Sequence, residues 1–283
     1  MQTTLAIFGA GRLGQSWGRL AQLSGQYRIG SVCCRSLAAA QRAVDFIGAG
    51  TPCTLAQLPP LAQLNLLACA DDTLPALATQ MATLPRPDMA VAFHASGVLE
   101  PTVLTALADS GLAVGSLHPA FSFADPSRAV TSFAGTLCAL QGEAGADAAL
   151  RAFAAAIGGQ AFDLPPGAKA AYHASLSIAS NYLVTLTGLA RSVAEQAGLP
   201  PALAGQLLAP LMHQSLDNAL QLGAQQALTG PIMRGDVATV AAHLQALAAS
   251  PDSLALYKAL GHATLPLTRL PADRLAALHT LLA

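Results

Sequence analysis

"LAIFGAGRLGQSWGRL", Leu5 to Leu20, carries two overlapping signatures near the start of a 283-residue chain. Gly9-Ala10-Gly11-Arg12-Leu13-Gly14 is a G-x-G-x-x-G that follows the apolar run Leu5 to Phe8 and enters a helix-compatible stretch. This order predicts a strand, a tight turn and a helix whose first amides cradle a pyrophosphate. Gly14-Gln15-Ser16-Trp17-Gly18 is a G-x-S-x-G, the pattern of a hydrolase nucleophile turn. That turn puts its serine directly after a strand and needs earlier strands for the oxyanion loop. Ser16 stands eight residues past Phe8, and no strand-like run precedes Leu5 in this sequence. The stretch is read as a dinucleotide cradle, with Gly9, Gly11, Arg12, Leu13 and Gly14 holding the cofactor and Ser16 an ordinary helix residue.

The next strand sharpens the cofactor. Arg28 to Cys34 reads as β and ends at Arg35-Ser36, where a dinucleotide's adenosine ribose is recognised. An NAD site usually has Asp or Glu there, yet no acidic residue occurs before Asp45, whereas Arg12, Arg19, Arg28, Arg35 and Arg42 all fall in that interval. A 2′-phosphate needs cationic, forked donors, and a carboxylate would repel it. NADP(H) is expected over NAD(H), with Arg35 and Ser36 as the discriminating residues. Arg19 and Arg42 read as solvated surface charges.

Composition narrows the class. Hydrophobic residues make up 53% of the chain and charged ones 10%, with a formal net charge of −1. So few charges leave apolar surface to cover, which predicts a homodimer. Basic residues form no stripe with interleaved aromatics, so nucleic acid is not expected as a partner. The opening MQTTLAIFGAG has no basic segment with a cleavable apolar core, and five cysteines without a C-x-x-C read as thiols of a cytoplasmic protein. No paired Cys/His spacing suggests a metal. Two charge-free windows, Ala170–Ala190 and Gln196–Leu216, are interrupted by His173, Asn181, Pro200, Pro201, Pro210 and His213, so they read as buried or interface helices and not as membrane spans.

Residues 1–164 alternate β-like and helical runs, the pattern of a Rossmann-like parallel sheet with helices on both faces. Strands are expected at Asn65–Ala70, Met89–Ala95, Ala113–Leu117, Thr136–Leu140 and Gln160–Leu164. After Pro165-Pro166-Gly167 the β signal disappears, and residues 165–283 read as an all-helical substrate and dimerisation domain beginning with one long helix to about Gln196. Strand ends of an open parallel sheet face the ligand crevice. That singles out Asp71 as a cofactor neighbour, Ser96 in FHASG, and His118 in SLHPAFSF. On the helix that follows, Lys169 and His173 lie four apart on one face, with Asn181 further along. Lys169 is the only charge between Asp163 and Arg191, and if water is excluded its pKa falls toward neutrality. An imidazole already titrates there, which makes His118 the first expectation for the proton donor, with Lys169 and His173 behind it and Ser96, Ser180 and Asn181 orienting substrate. Arg234-Gly235-Asp236 reads as a helix entry with Asp236 as its cap.

Together "IFGAGRLG", "CADD", "HASG", "LHPAFSF", "YHASLSIASNYL", "LLAPL" and "ALTGPIMRGD" resemble bacterial proteins that join a Rossmann-like domain to a C-terminal helical domain of unknown function. That group is similar to ketopantoate reductase, pyrroline-5-carboxylate reductase, 3-hydroxyisobutyrate dehydrogenase, 6-phosphogluconate dehydrogenase and prephenate dehydrogenase. The resemblance implies an NADP-dependent oxidoreductase reducing a small 2-oxo or imino acid, ketopantoate being favoured. It also allows a hydroxyacid- or prephenate-type oxidative dehydrogenase, and a non-catalytic NADP-binding sensor or scaffold. In the hydroxyacid members a lysine of the second domain's first helix donates the proton, and Lys169 fits it, but one turn later this chain has His173 where they have asparagine. Prephenate-type members use a serine and a His-Pro at successive strand ends, which Ser96 and His118-Pro119 match in kind.

Overall fold

A computed structural model describes residues 2–283. Eight strands form one sheet among these residues: β1 (Thr3–Phe8), β2 (Tyr27–Cys34), β3 (Thr51–Thr54), β4 (Leu64–Leu67), β5 (Val91–His94), β6 (Ala113–Pro119), β7 (Leu137–Gly142) and β8 (Gln160–Asp163). They lie in the order β3-β2-β1-β4-β5-β6-β7-β8. The order reverses between β1 and β4, and at such a switch point the connections leave to opposite faces and open a crevice at the carboxyl ends.

Two apolar layers cover the sheet. The strand period of two sends Leu5, Ile7, Leu64 and Leu66 to one layer, with Trp17 and Phe153, and Ala6, Phe8 and Leu67 to the other, with Leu77 and Met81. The first is closed by α1 (Arg12–Leu23), α2 (Leu37–Ile47) and α6 (Ala144–Ala156), the second by α3 (Leu74–Met81) and α4 (Thr105–Asp109). Trp17 stacks on Phe93 and meets Phe133 and Phe153 edge to face at the centre of the first layer. Ser16 is buried in α1 and donates back to the Arg12 carbonyl, an ordinary helix position as expected.

The sheet departs from the expected pattern at both edges. β7 runs antiparallel to β6, pairing His118 with Ala139 and Pro119 with Cys138. Only a short helix, α5 (Pro126–Ser132), lies between them. A parallel return needs a full crossover, whereas an antiparallel one can be made by a shorter connection. β3 was not anticipated: four residues, TPCT, with a proline give a weak signal, and proline is tolerated because the strand is at the edge. β4 ends earlier than its apolar run, because Ala68–Ala70 leave the sheet to line the crevice.

The expected long helix is broken. α7 (Lys169–Ser177) passes through a π-helical turn, Ile178–Tyr182, into α8 (Leu183–Gln196). The chain divides into two compact units after Ser180, not after residue 164. The reason is that α7 is tied to the sheet: Lys169 bonds to Ser96, and Tyr172 to His118.

The second unit holds α8, α9 (Pro201–Leu222), the short helices α10 (Ala224–Ala227) and α11 (Pro231–Arg234), α12 (Val237–Leu247), α13 (Pro251–Thr264) and α14 (Ala272–Leu282). Its core gathers Val240, Leu265, Leu278 and Leu282. Asp236 caps α12 by accepting from the Thr239 amide at 3.0 Å. No helix among the described residues is long and apolar enough to cross a membrane.

Candidate active site

A cleft of about 1050 Å³ opens at the strand-order reversal. Its floor is Gly9–Gly11, one wall is Cys34–Ser36 with Ala39 and Arg42, and the other is Ala68–Ala70 with Thr73, Leu77 and Gln80. Gly9 has φ +94°, and a β-carbon there would stand 2.6 Å from the Cys69 amide nitrogen. Any other residue would force β1 and the loop after β4 apart. A β-carbon on Gly14 would collide with the Gly9 carbonyl at 2.7 Å, so this glycine lets α1 pack under the turn. Gly11 differs: nothing lies within 4 Å of its added carbon, which would project into open space and fill the cradle. α1 starts at Gly11 without a side-chain cap and without an acidic residue in its first turn. Its leading amides and its dipole are thus free for an anion.

Among the described residues, the lining carries Arg35 and Arg42 and no carboxylate. Ser36 caps α2 by accepting from the Ala39 amide. Ser36, Ala39 and Arg42 are spaced by three, so Arg42 shares the cleft-facing side of the helix. Arg42 was read as a surface charge from the sequence, and the structure moves it into the wall. That spacing from the cap was the available signal. Arg19 instead donates to the Ile47 carbonyl at 3.0 Å, and Arg28 to the Thr4 hydroxyl. Arg12 and Leu13 sit in the first turn of α1, outside the cleft lining. The residues fit a nicotinamide dinucleotide: a bare helix start over a glycine floor for the pyrophosphate, and paired guanidinium groups beside Ser36 where the ribose would lie.

The loop that forms the second wall also reaches a buried knot. Asp71, between lining residues Ala70 and Thr73, accepts from the Ser96 hydroxyl at 2.7 Å. The same hydroxyl accepts from the Val98 and Leu99 amides, so its one proton and both lone pairs are engaged. Ser96 therefore organises the turn after β5 and has no hydroxyl capacity left to orient substrate. Its carbonyl accepts from Lys169 Nζ at 2.6 Å. Asp71, expected to touch the cofactor, ties the cleft wall to this knot through one carboxylate oxygen.

Lys169 is 1% exposed. Burial pushes its ammonium down to about 8, partly offset by the nearby Glu100 and Asp71 carboxylates. Glu100 also accepts from the Gly167 amide at 3.1 Å, which fixes the start of α7. Beneath them His94 is fully buried, accepting from the Ser96 amide through Nδ1 and meeting the Glu100 carbonyl through Nε2. Both nitrogens are used by a neutral ring, and burial and then Lys169 hold its pKa down to about 3.

His118 stands at the end of β6, edge to face with Tyr172 and with His173, each at a centroid distance of 5.6 Å. Burial, then Lys169, then His173 lower its pKa to about 4. The expectation that His118 titrates near neutrality fails for this reason, and Lys169 is the group brought close to physiological pH. Gly97 lies against both imidazoles: a β-carbon there would come within 2.7 Å of His118 Nε2 and overlap His173. The first unit thus brings Ser96, His118, Lys169 and His173 together, with Glu100, Gly97, His94 and Tyr172 added to the expected set. Asn181 is exposed in the π turn and opens the second unit, and Ser180 closes the first. Among the described residues no cluster of three or more His, Cys, Asp or Glu could hold a metal.

A crevice with a glycine floor at a strand-order switch defines a Rossmann-type nucleotide-binding unit. Residues 2–119 match the Rossmann-like domain family and residues 136–264 a domain of unknown function, DUF2520. Matches to both domain families thus lie in one chain, in the order that its motifs implied. No protein of curated function matches the sequence. Among solved structures, a Bacteroides fragilis protein provisionally described as an NADP oxidoreductase superposes with a TM-score of 0.79 at 23% identity, over 93% of this chain and 97% of that one. A Thermotoga maritima protein gives 0.68 at 24%, over 93% and 97%. A reductive aminase from Aspergillus terreus, solved with NADPH and ethyl levulinate, gives 0.61 at 18%, over 99% of each chain. At these identities the likeness is one of fold.

Proposed function

We propose that this protein is an NADP(H)-dependent reductase of a small 2-oxo or imino acid. The observation that carries the reading is the acid-free cleft, in which a bare helix start and glycine floor stand beside Arg35, Ser36 and Arg42. Two proteins of the same fold, one provisionally described as an NADP oxidoreductase and one a reductive aminase solved with NADPH, support the choice of cofactor.

When bound, the nicotinamide supplies the hydride. The chain must supply a proton to the oxygen or nitrogen that receives negative charge. Lys169 is suited to that role: its ammonium is held near neutrality by burial, and the Ser96 carbonyl fixes it. A neutral His118 serves as a hydrogen-bond donor beside it. An ammonium in this setting also favours a substrate carboxylate, which suits a carboxylic acid substrate.

The test is titration with NADPH and NADH, followed by a screen of 2-oxo and imino acids for NADPH oxidation. Tenfold or more tighter NADPH binding with turnover of one such acid is expected. Equal affinities would remove the cofactor assignment. Tight NADPH binding without turnover of any acid in either direction would favour a sensor, and turnover only with NADP+ and a hydroxyacid would favour an oxidative dehydrogenase.

We infer further that the chain works as a homodimer. Leu203, Leu207, Leu211, Leu216, Leu220 and Leu222 are all exposed along α9. They leave on the order of 600 Å² of apolar surface on this helix, close to one side of a standard interface of about 800 Å². The four-residue steps from Leu203 to Leu211 make a stripe that a second copy can match. A monomer mass by light scattering at micromolar concentration would reject the dimer.

A further inference from the structure

His118 has two ring nitrogens in different surroundings. Nδ1 lies 3.1 Å from the Tyr172 hydroxyl oxygen. Nε2 lies on the Gly97 side, and among the described residues the ring's one hydrogen bond within the chain is made by Nδ1. The Nδ1 contact can form in two ways: the phenol donates to a bare nitrogen, or an Nδ1–H donates to the phenol oxygen. A phenol, with an ordinary pKa of about 10, is a far stronger acid than a neutral imidazole N–H, and a bare imidazole nitrogen is a far stronger base than a phenol oxygen. The O–H···N bond is therefore the stronger one.

The surroundings agree with that direction. Burial and the nearby Lys169 and His173 keep the His118 ring uncharged, so one nitrogen is bare. Burial pushes the Tyr172 phenol up to about 12, so it keeps its proton to donate. Phe162 also packs against the Tyr172 ring, at a centroid distance of 6.2 Å, which restrains the phenol's aim. Lys169 is already a cation here, and a second one on His118 would be repelled by it.

We propose that Tyr172 is a positioning residue for His118: its hydroxyl donates to Nδ1, holds the imidazole as the Nε2–H tautomer, and leaves that N–H as a neutral donor over Gly97. The tautomer is a property of the free protein. Its use, to hold the oxygen or nitrogen of the substrate that Lys169 protonates, rests on the reductase reading. Gly97 then has a reason to lack a side chain, since any β-carbon would cover the N–H.

The ¹⁵N spectrum of the labelled full-length protein at pH 7 decides the tautomer, with the His118 signals assigned by their loss in His118→Gln. A protonated-type shift at Nε2 and a bare-type shift at Nδ1 are expected, and in Tyr172→Phe the two should move toward each other as both tautomers populate. An Nδ1–H tautomer, an imidazolium, or a spectrum indifferent to Tyr172→Phe would overturn the proposal. The wild-type spectrum alone still decides if the variant fails to fold. With a substrate in hand, Tyr172→Phe should raise KM about tenfold and change kcat less, the loss of roughly one positioned hydrogen bond. His118→Gln, whose amide N–H overlies Nε2, should keep more of the affinity than His118→Asn. If the tautomer and its dependence on Tyr172 are found but no acid oxidises NADPH, the positioning stands and the reductase reading falls. If an acid is reduced but the tautomer is wrong, the reductase reading stands and the positioning falls.

Discussion

The two units of this chain bury their apolar residues very differently. In the first, both faces of the sheet are sealed, and Trp17, Phe8, Phe93 and Phe153 are inaccessible to water. In the second, α8 has no buried residue, α9 buries only Ala204, and the core is four residues with a partly buried fringe. Yet the sealed unit holds an inaccessible lysine and a buried neutral histidine, while the two units carry charge at nearly the same density, 19 in 180 residues and 10 in 103. Apolar composition therefore marks two things here. In the first unit it marks a finished interior that keeps a few polar groups buried at some cost in stability. In the second it leaves the leucines of α9 exposed, the surface that the proposed dimer would cover.

The largest expected effect tests that cost. Lys169→Met should lower turnover by about 10²- to 10⁴-fold, the range of a general acid. It should not destabilise the fold, because a buried charge is exchanged for an apolar chain of similar length. Thermal melts together with steady-state rates check both halves, and a variant that unfolds would mean the lysine is structural. The pH profile has a definite sign. The donor is the ammonium, so reduction should fall as pH rises through about 8 and that limb should disappear in Lys169→Met.

The contrast between the units breaks if α9 tolerates charge in the native assembly. Leu207→Glu combined with Leu211→Glu should weaken dimerisation by about a hundredfold or more, as loss of central apolar contacts does, and leave NADPH affinity unchanged. Sedimentation against protein concentration is the measurement. An unaffected dimer would place the interface elsewhere.

A smaller effect is expected at the cleft. Arg35→Ala and Arg42→Ala should each weaken NADPH about ten- to a hundredfold by removing a charged contact to phosphate, with NADH little altered. Isothermal titration separates the two arginines. If only Arg35 matters, Arg42 returns to the surface role that its sequence suggested.

The smallest effect is the acid limb of stability. His94 is held neutral in the fold at a pKa of about 3, below its ordinary 6.5. The unfolded chain binds the proton first, so stability is full above about 6.5 and falls as pH drops toward 3. Each such histidine contributes up to about 1.4 kcal/mol per pH unit within that window. Urea unfolding at pH 7 and pH 5.5 should show this loss, reduced in His94→Gln. A flat profile would mean that His94 is solvated.

Much of the first unit was legible because its signals are local. A strand followed by G-x-G-x-x-G uses residues close in sequence, and the periods of strand and helix are read within a few positions. That established the cradle at Gly9 to Gly14, the strand end at Arg35-Ser36, and the helical character of everything after Pro165. The polarity of β7 and the edge strand β3 were not legible, since strand direction depends on partners far along the chain. The break in the long helix at Ile178–Tyr182 was equally hidden, because each residue there is compatible with continued helix.

The site divides in the same way. Residue types and spacing were enough to nominate Ser96 and His118, which follow or end strands of the sheet, and Lys169 and His173, four apart on the next helix. What those residues can do was decided only by tertiary contact. Protonation depends on burial and on charges brought in from distant segments, so the lysine and not the histidine comes near neutral pH. Hydrogen-bond capacity is finite, so the Ser96 hydroxyl, once committed to Asp71 and two amides, becomes part of the scaffold. Sequence alone determined that a dinucleotide cradle and a set of polar strand ends exist in this chain. The fold decided which are exposed, which are spent and which keep a proton, because desolvation and pairing act through space and leave no mark on local sequence.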